Sequence, residues 1–135
     1  MAFTYPQKVL FKHCDPAGIV FYPRYFEMIN DCVEAFFGEA LELPFHELMK
    51  TGGVPTVRID TTFTAPSRHG DQLVLGLVVE RLGRSSLDFR ITGVTDGEDR
   101  FNCRATLVHT GPDGRPRPWQ DDMRAKVTPY LGDLQ

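Results

Sequence analysis

The chain has 135 residues, 41% hydrophobic and 24% charged, the size and make-up of one globular domain, residues 1–135, with a single core. Fifteen Lys and Arg against eighteen Asp and Glu leave a net charge of −3, so no overall positive field draws it to nucleic acid or a membrane surface. Cys14, Cys32 and Cys103 form no C-x-x-C pair and no apolar run approaches the roughly 18 residues of a membrane span. Reduced thiols in a cytoplasmic protein, with no metal site, are therefore expected.

In chain order, a first strand is expected over residues 7–13. A helix follows over residues 23–37, with Pro23 near its start and Gly38 as its C-cap. Its charges, Arg24, Glu27, Asp31 and Glu34, recur three and four apart and fit within about 80° of arc at 100° per residue. Everything else on it is apolar apart from Asn30, which predicts a central core element. A short second helix is expected over residues 45–50.

From residue 56 to 65, Val57, Ile59, Thr61, Phe63 and Ala65 alternate with polar residues, the period of a half-buried strand. Three more runs follow over residues 73–82, 86–94 and 100–109, the last two turning Leu87, Phe89, Ile91 and then Phe101, Cys103, Ala105, Leu107 inward. Short joins at 83–85 and 96–99 make these strands antiparallel neighbours. The Pro- and Gly-rich residues 111–118 open a C-terminal tail of about 111–135. Strands of ten residues span about 33 Å and a fifteen-residue helix about 22 Å, so a curled sheet can wrap it. Val74 and Val78 on the other face, with an open edge, point to a homo-oligomer, dimer or tetramer.

Chemistry concentrates in residues 13–25, HCDPAGIVFYPRY. Asp15 sits in a D-P-x-G turn, and an apolar run then enters the helix. The first backbone N–H groups of a helix have no partner within it, and their partial positive charge suits a developing oxyanion. Taken alone, Asp-Pro-Ala-Gly reads first as a turn, with Asp there for its bond to nearby backbone. His13 and Cys14 are neighbours in an extended segment and face opposite ways, which argues against a Cys-His dyad. His46, His69 and His109 lie far apart and read as structural or exposed.

The run DPAGIVFYPRY resembles the signature of hotdog-fold acyl-CoA thioesterases of the 4-hydroxybenzoyl-CoA thioesterase type. Likeness continues at Gly70-Asp71, at residues 81–86 (RLGRSS) and at residues 122–125 (DMRA). The resemblance implies an α+β hotdog fold, an antiparallel sheet of about five strands around one long helix. It implies that Asp15 is the catalytic carboxylate, as nucleophile or general base, and that the Tyr22 backbone amide polarises the thioester carbonyl. Many relatives carry His where this chain has Tyr22, whereas Tyr there is similar to the hydroxybenzoyl branch, and His13 replaces an acidic residue common among relatives.

Gly18, Phe21, Tyr25 and Asn30 are the expected substrate contacts, Asn30 matching an acidic residue that meets a phenol hydroxyl in that branch. Arg81, Arg84, Ser85 and Ser86 surround a Gly-containing turn and are expected to hold coenzyme A phosphates. Coenzyme A is here part of the substrate, so no separate cofactor is expected, and an acyl carrier protein is an alternative carrier. The rival readings are an acyl-CoA binding module without turnover and a dehydratase, which would need a His on the helix side.

Overall fold

The computed structural model describes residues 1–132. Its sheet has five strands, β1 (Phe3–Lys8), β2 (Thr56–Phe63), β3 (Gln72–Leu82), β4 (Ser86–Thr95) and β5 (Glu98–Val108), in the order β1-β3-β4-β5-β2 with every pairing antiparallel. The long helix α1 (Tyr22–Ala35) packs on β1 and β3, and there are two shorter helices, α2 (Phe45–Leu48) and α3 (Asp121–Val127), the latter against β3. This is the sheet around a helix that the periodicity predicts.

Alternation explains the core. Leu73, Leu75, Leu77 and Val79 of β3, Leu87, Phe89 and Ile91 of β4, and Phe101, Cys103, Ala105 and Leu107 of β5 are all buried on one face. Facing them, α1 contributes Tyr25, Met28, Ile29, Cys32 and Val33, while Arg24, Glu27, Asp31 and Glu34 stay exposed on the predicted arc. Gly93 lies across from Phe101, whose ring fills the space a Cβ would need. That ring packs against Tyr25 in the first turns of α1, 5.0 Å between centroids, so a missing side chain in β4 seats the start of the helix.

Three boundaries differ from expectation. The first strand runs Phe3–Lys8 rather than over 7–13, because His13 Nδ1 accepts the Leu10 N–H at 2.9 Å and curls residues 11–13 into a 3-10 turn. Gly38 does not cap α1; a π-helical turn, Phe36–Ala40, carries the chain through it. The wider turn buries two adjacent aromatics, Phe36 against Phe3 and Tyr130, Phe37 against Phe45 and Trp119. The β4–β5 join is tighter than four residues, since Asp96 (φ 51°) and Gly97 (φ 74°) both take the left-handed conformation of a two-residue hairpin turn.

The tail packs back on the body. Trp119 is buried and stacks on His109 at 4.6 Å, and Met123 and Val127 of α3 are buried as well. Residues 133–135 of the tail lie outside the described residues. On the outer face, Glu80 reaches Arg90 at 3.6 Å and Arg104 at 3.4 Å, and Thr106 donates to Asp88 at 2.7 Å.

Candidate active site

The helix entry is built by a short ladder. Asp15 N–H donates to Ile19 O at 2.9 Å, Cys14 bridges Val20, and Phe21 N–H donates to His13 O at 2.9 Å, so residues 13–15 run antiparallel to 19–21. Gly18 N–H closes the turn on Asp15 O at 2.9 Å, and its φ of 82° requires glycine. Asp15 Oδ1 accepts the Ala17 N–H at 2.9 Å, which is the turn role read from the sequence. The other oxygen, Oδ2, accepts nothing among the described residues, and the half-buried side chain keeps that oxygen available.

The helix start is uncapped for a reason visible in three residues. Phe21, at the N-cap, has no side-chain acceptor to offer, and Pro23 has no N–H. Arg24 N–H turns back to Phe21 O at 2.8 Å, and the Tyr22 N–H has no partner among the described residues. A free amide at the positive end of a fourteen-residue helix thus sits in the same loop as a carboxylate with one oxygen free. The exposed Tyr22 ring meets Phe21 at 5.6 Å and Phe63 at 6.1 Å, edge to face.

A groove of about 690 Å³ opens one helical turn further on, between α1 and the β5–β2 end of the sheet. Its helix wall is Phe26, Ile29, Asn30 and Val33, spaced three and four apart, and its sheet wall is Ile59, Phe89, Ala105 and Leu107. Asn30 supplies the one side-chain amide in a largely apolar lining. Asp15 and Tyr22 stand outside this lining, at its helix-entry end.

Other titrating groups are set aside by their surroundings. Burial lowers the pKa of His13, whose Nδ1 is occupied as an acceptor. Burial likewise lowers His109, whose Nδ1 faces the carbonyls of Arg117 and Pro118 and therefore carries the proton. The Cys32 thiol is pushed up to about 12 by burial and Cys103 is raised for the same reason, so neither is a thiolate nucleophile. Among the described residues no group of three His, Cys, Asp or Glu is placed to hold a metal ion.

The expected substrate and coenzyme contacts fall in three places. Asp15, Gly18, Phe21 and Tyr22 share the entry loop, and Asn30 lines the groove. Tyr25 does not line it: the residue is 3% exposed, its ring stacked on Phe63 and its hydroxyl donating to Ser67 Oγ at 2.8 Å. Arg81, Arg84, Ser85 and Ser86 lie at the far end of β3, an 11-residue strand roughly 35 Å long at ~3.3 Å per residue, whose first residue adjoins the loop that holds Ser67. There the Ser85 and Ser86 carbonyls accept from His109 N–H and Trp119 Nε1, and Arg124 of α3 donates to Gly83 O at 2.8 Å. Arg124 joins Arg81 in one shallow cleft, a cation near the turn that only the fold of the tail brings in.

Comparisons with known proteins bear on the family and the fold. A profile of the thioesterase superfamily matches residues 17–103. A 1,4-dihydroxy-2-naphthoyl-CoA hydrolase from Synechocystis sp. is 25% identical over 129 residues, covering 87% of this chain and 91% of that protein. A 4-hydroxybenzoyl-CoA thioesterase from Pseudomonas sp. is 25% identical over 103 residues, 73% of each. Among solved structures, a gentisyl-coenzyme A thioesterase superposes with a TM-score of 0.84 at 26% identity, over 90% of this chain and 99% of that one.

Proposed function

We propose that this chain, which belongs to the thioesterase superfamily and has its hotdog fold, cleaves an acyl-CoA thioester with the Asp15 carboxylate and the Tyr22 backbone N–H. The chain is a thioester hydrolase; the proposal concerns the residues and the acyl group. One observation carries it: a single loop presents a carboxylate oxygen and a helix-terminal amide, neither of them with a hydrogen-bond partner among the described residues.

The thioester carbonyl oxygen accepts from the Tyr22 N–H, and that bond strengthens as the oxygen becomes an oxyanion. One such donor is typically worth about 10²–10³ in rate. Asp15 Oδ2 either attacks the carbonyl carbon, giving a mixed anhydride that water then opens, or takes a proton from the attacking water. Both routes break the C–S bond and release the coenzyme thiolate. Oδ1 stays on the Ala17 N–H and fixes the carboxylate, so turn and catalyst are one residue in two roles.

The groove along α1 is offered as the acyl site. Relatives named for hydroxylated aryl thioesters, and an amide at Asn30 able to donate to or accept from a hydroxyl, support a hydroxylated aromatic acyl group. Arg81 and Arg84, with Arg124, are offered as the phosphate contacts. Because a single chain sets them at the opposite end of β3 from Asp15, the hairpin of one copy serves the loop of another in a homo-oligomer. Edge strand β2 supports that assembly, with one side unpaired and Val57 and Ile59 at 61% and 47% exposure.

A screen of aromatic, short-chain and long-chain acyl-CoAs, read by free-thiol release, tests the reading. Catalytic turnover is expected, greatest on a hydroxylated aryl-CoA. Tight binding of acyl-CoA with no thiol released contradicts it and leaves a binding module.

A further inference from the structure

The entry loop is held by a segment that the mechanism above does not use. Residues 66–71 form a strap between β2 and β3, and Ser67, 0% exposed, lies near its start. Its carbonyl accepts the Val20 N–H at 2.8 Å, and its hydroxyl oxygen accepts the Tyr25 O–H at 2.8 Å. One residue therefore grips both the arm of the loop that pairs with Asp15 and the helix turn that begins at Tyr22.

The strap cannot give way easily. Asp71 Oδ2 accepts the Arg68 N–H at 2.9 Å and Arg100 Nη1 at 2.8 Å, and the same nitrogen donates to Pro66 O at 2.9 Å. The backbone bond from Arg68 first, and then the Arg100 guanidinium, hold the Asp71 carboxyl below its usual value. Ile19 bridges Arg68 beside it.

We propose that Tyr25 and Ser67 are positioning residues for the hydrolytic site, their buried hydroxyl pair setting the spacing between the Asp15 carboxylate and the Tyr22 N–H. This rests on the assignment of those two groups and adds what fixes their geometry. Packing alone does not explain the pair. The Tyr25 ring already stacks on Phe63 at 5.5 Å and meets Phe101 at 5.0 Å, which anchors the helix with no hydroxyl at all. Two hydroxyls sealed from water are tolerable only if bonded, and the bond is directional where ring contacts are not. A small error in placing a catalytic group is costly, since displacement of about 1 Å can lower a rate 10²-fold.

Kinetics of Tyr25→Phe, Ser67→Ala and the double variant on an acyl-CoA that the wild type turns over will test this, with Asp15→Asn in parallel. Each single variant is expected to lose roughly tenfold in kcat with KM changed by less than about twofold, and the double variant to lose no more than either single. Faster amide hydrogen exchange at Val20 is expected in both singles, a readout independent of turnover. If both keep kcat and Val20 protection while Asp15→Asn loses activity, the positioning role is wrong and the assignment of Asp15 stands. Losses that multiply in the double variant overturn the joint role. If Asp15→Asn itself keeps full turnover, the site assignment falls and the positioning role with it.

Discussion

At the level of single residues, the site follows from what its members lack. Tyr22 opens the helix with no preceding turn to accept its N–H, and that amide is the proposed oxyanion donor. Gly93 works by a similar absence, because its missing Cβ makes room for the Phe101 ring that supports Tyr25. Gly93→Ala is expected to destabilise the fold by about 1–3 kcal/mol, as overpacking of a filled core does, read as a lower midpoint in thermal or urea unfolding. An unchanged midpoint would mean the ring moves aside freely. Asp15 was legible from D-P-x-G and the apolar entry behind it. Ser67 was not, since its partner Tyr25 lies 42 positions away and no local pattern links a strap serine to a helix tyrosine. Tyr25 itself reads as pocket lining from sequence because an aromatic on a helix does not declare where its hydroxyl will go.

Elements were readable in their interiors and less so at their ends. Alternation marks β4 and β5 because each has one buried face, β3 reads instead as a run apolar on both faces except at its end, and the charged arc marks α1. The ends are set instead by particular hydrogen bonds and neighbours: the Leu10 bond to His13 shortens the first strand, and burial of both Phe36 and Phe37 extends the helix past Gly38 as a π turn. Strand β2 shows what burial in one chain cannot supply. Ile59 and Phe63 align with inward-facing Ala105 and Phe101, yet they remain substantially exposed, and the outer edge of the strand is unpaired. A second copy against this element is expected to yield a dimer or larger assembly in solution, measured by light scattering coupled to size exclusion. Ile59→Lys is expected to shift that mass towards monomer; a wild-type monomer at micromolar concentration would refute the assembly.

Across the whole molecule, the sheet separates two functions by its length. The carboxylate and free amide stand near the start of β3 and the arginine-rich hairpin at its end, with the apolar groove along α1 between sheet and helix. The tail closes the hairpin end, where Trp119, His109 and Arg124 fix the turn. With a net charge of −3, the chain needs a local cationic patch to hold a polyanionic coenzyme, and Arg81, Arg84 and Arg124 are the residues proposed for it. The order of strands and helix was legible in one dimension, but the distance between Asp15 and Arg84 was not, because it depends on which strand ends meet. In the proposed mechanism, what ties these parts into one enzyme is the carboxylate of Asp15. The most direct measurement is therefore kcat of Asp15→Asn on the best acyl-CoA, with thermal midpoint and oligomer mass recorded for the same sample. A fall of about 10²–10⁴ in kcat with fold and mass unchanged is the predicted result. Turnover at the wild-type rate by a folded Asp15→Asn protein would contradict it.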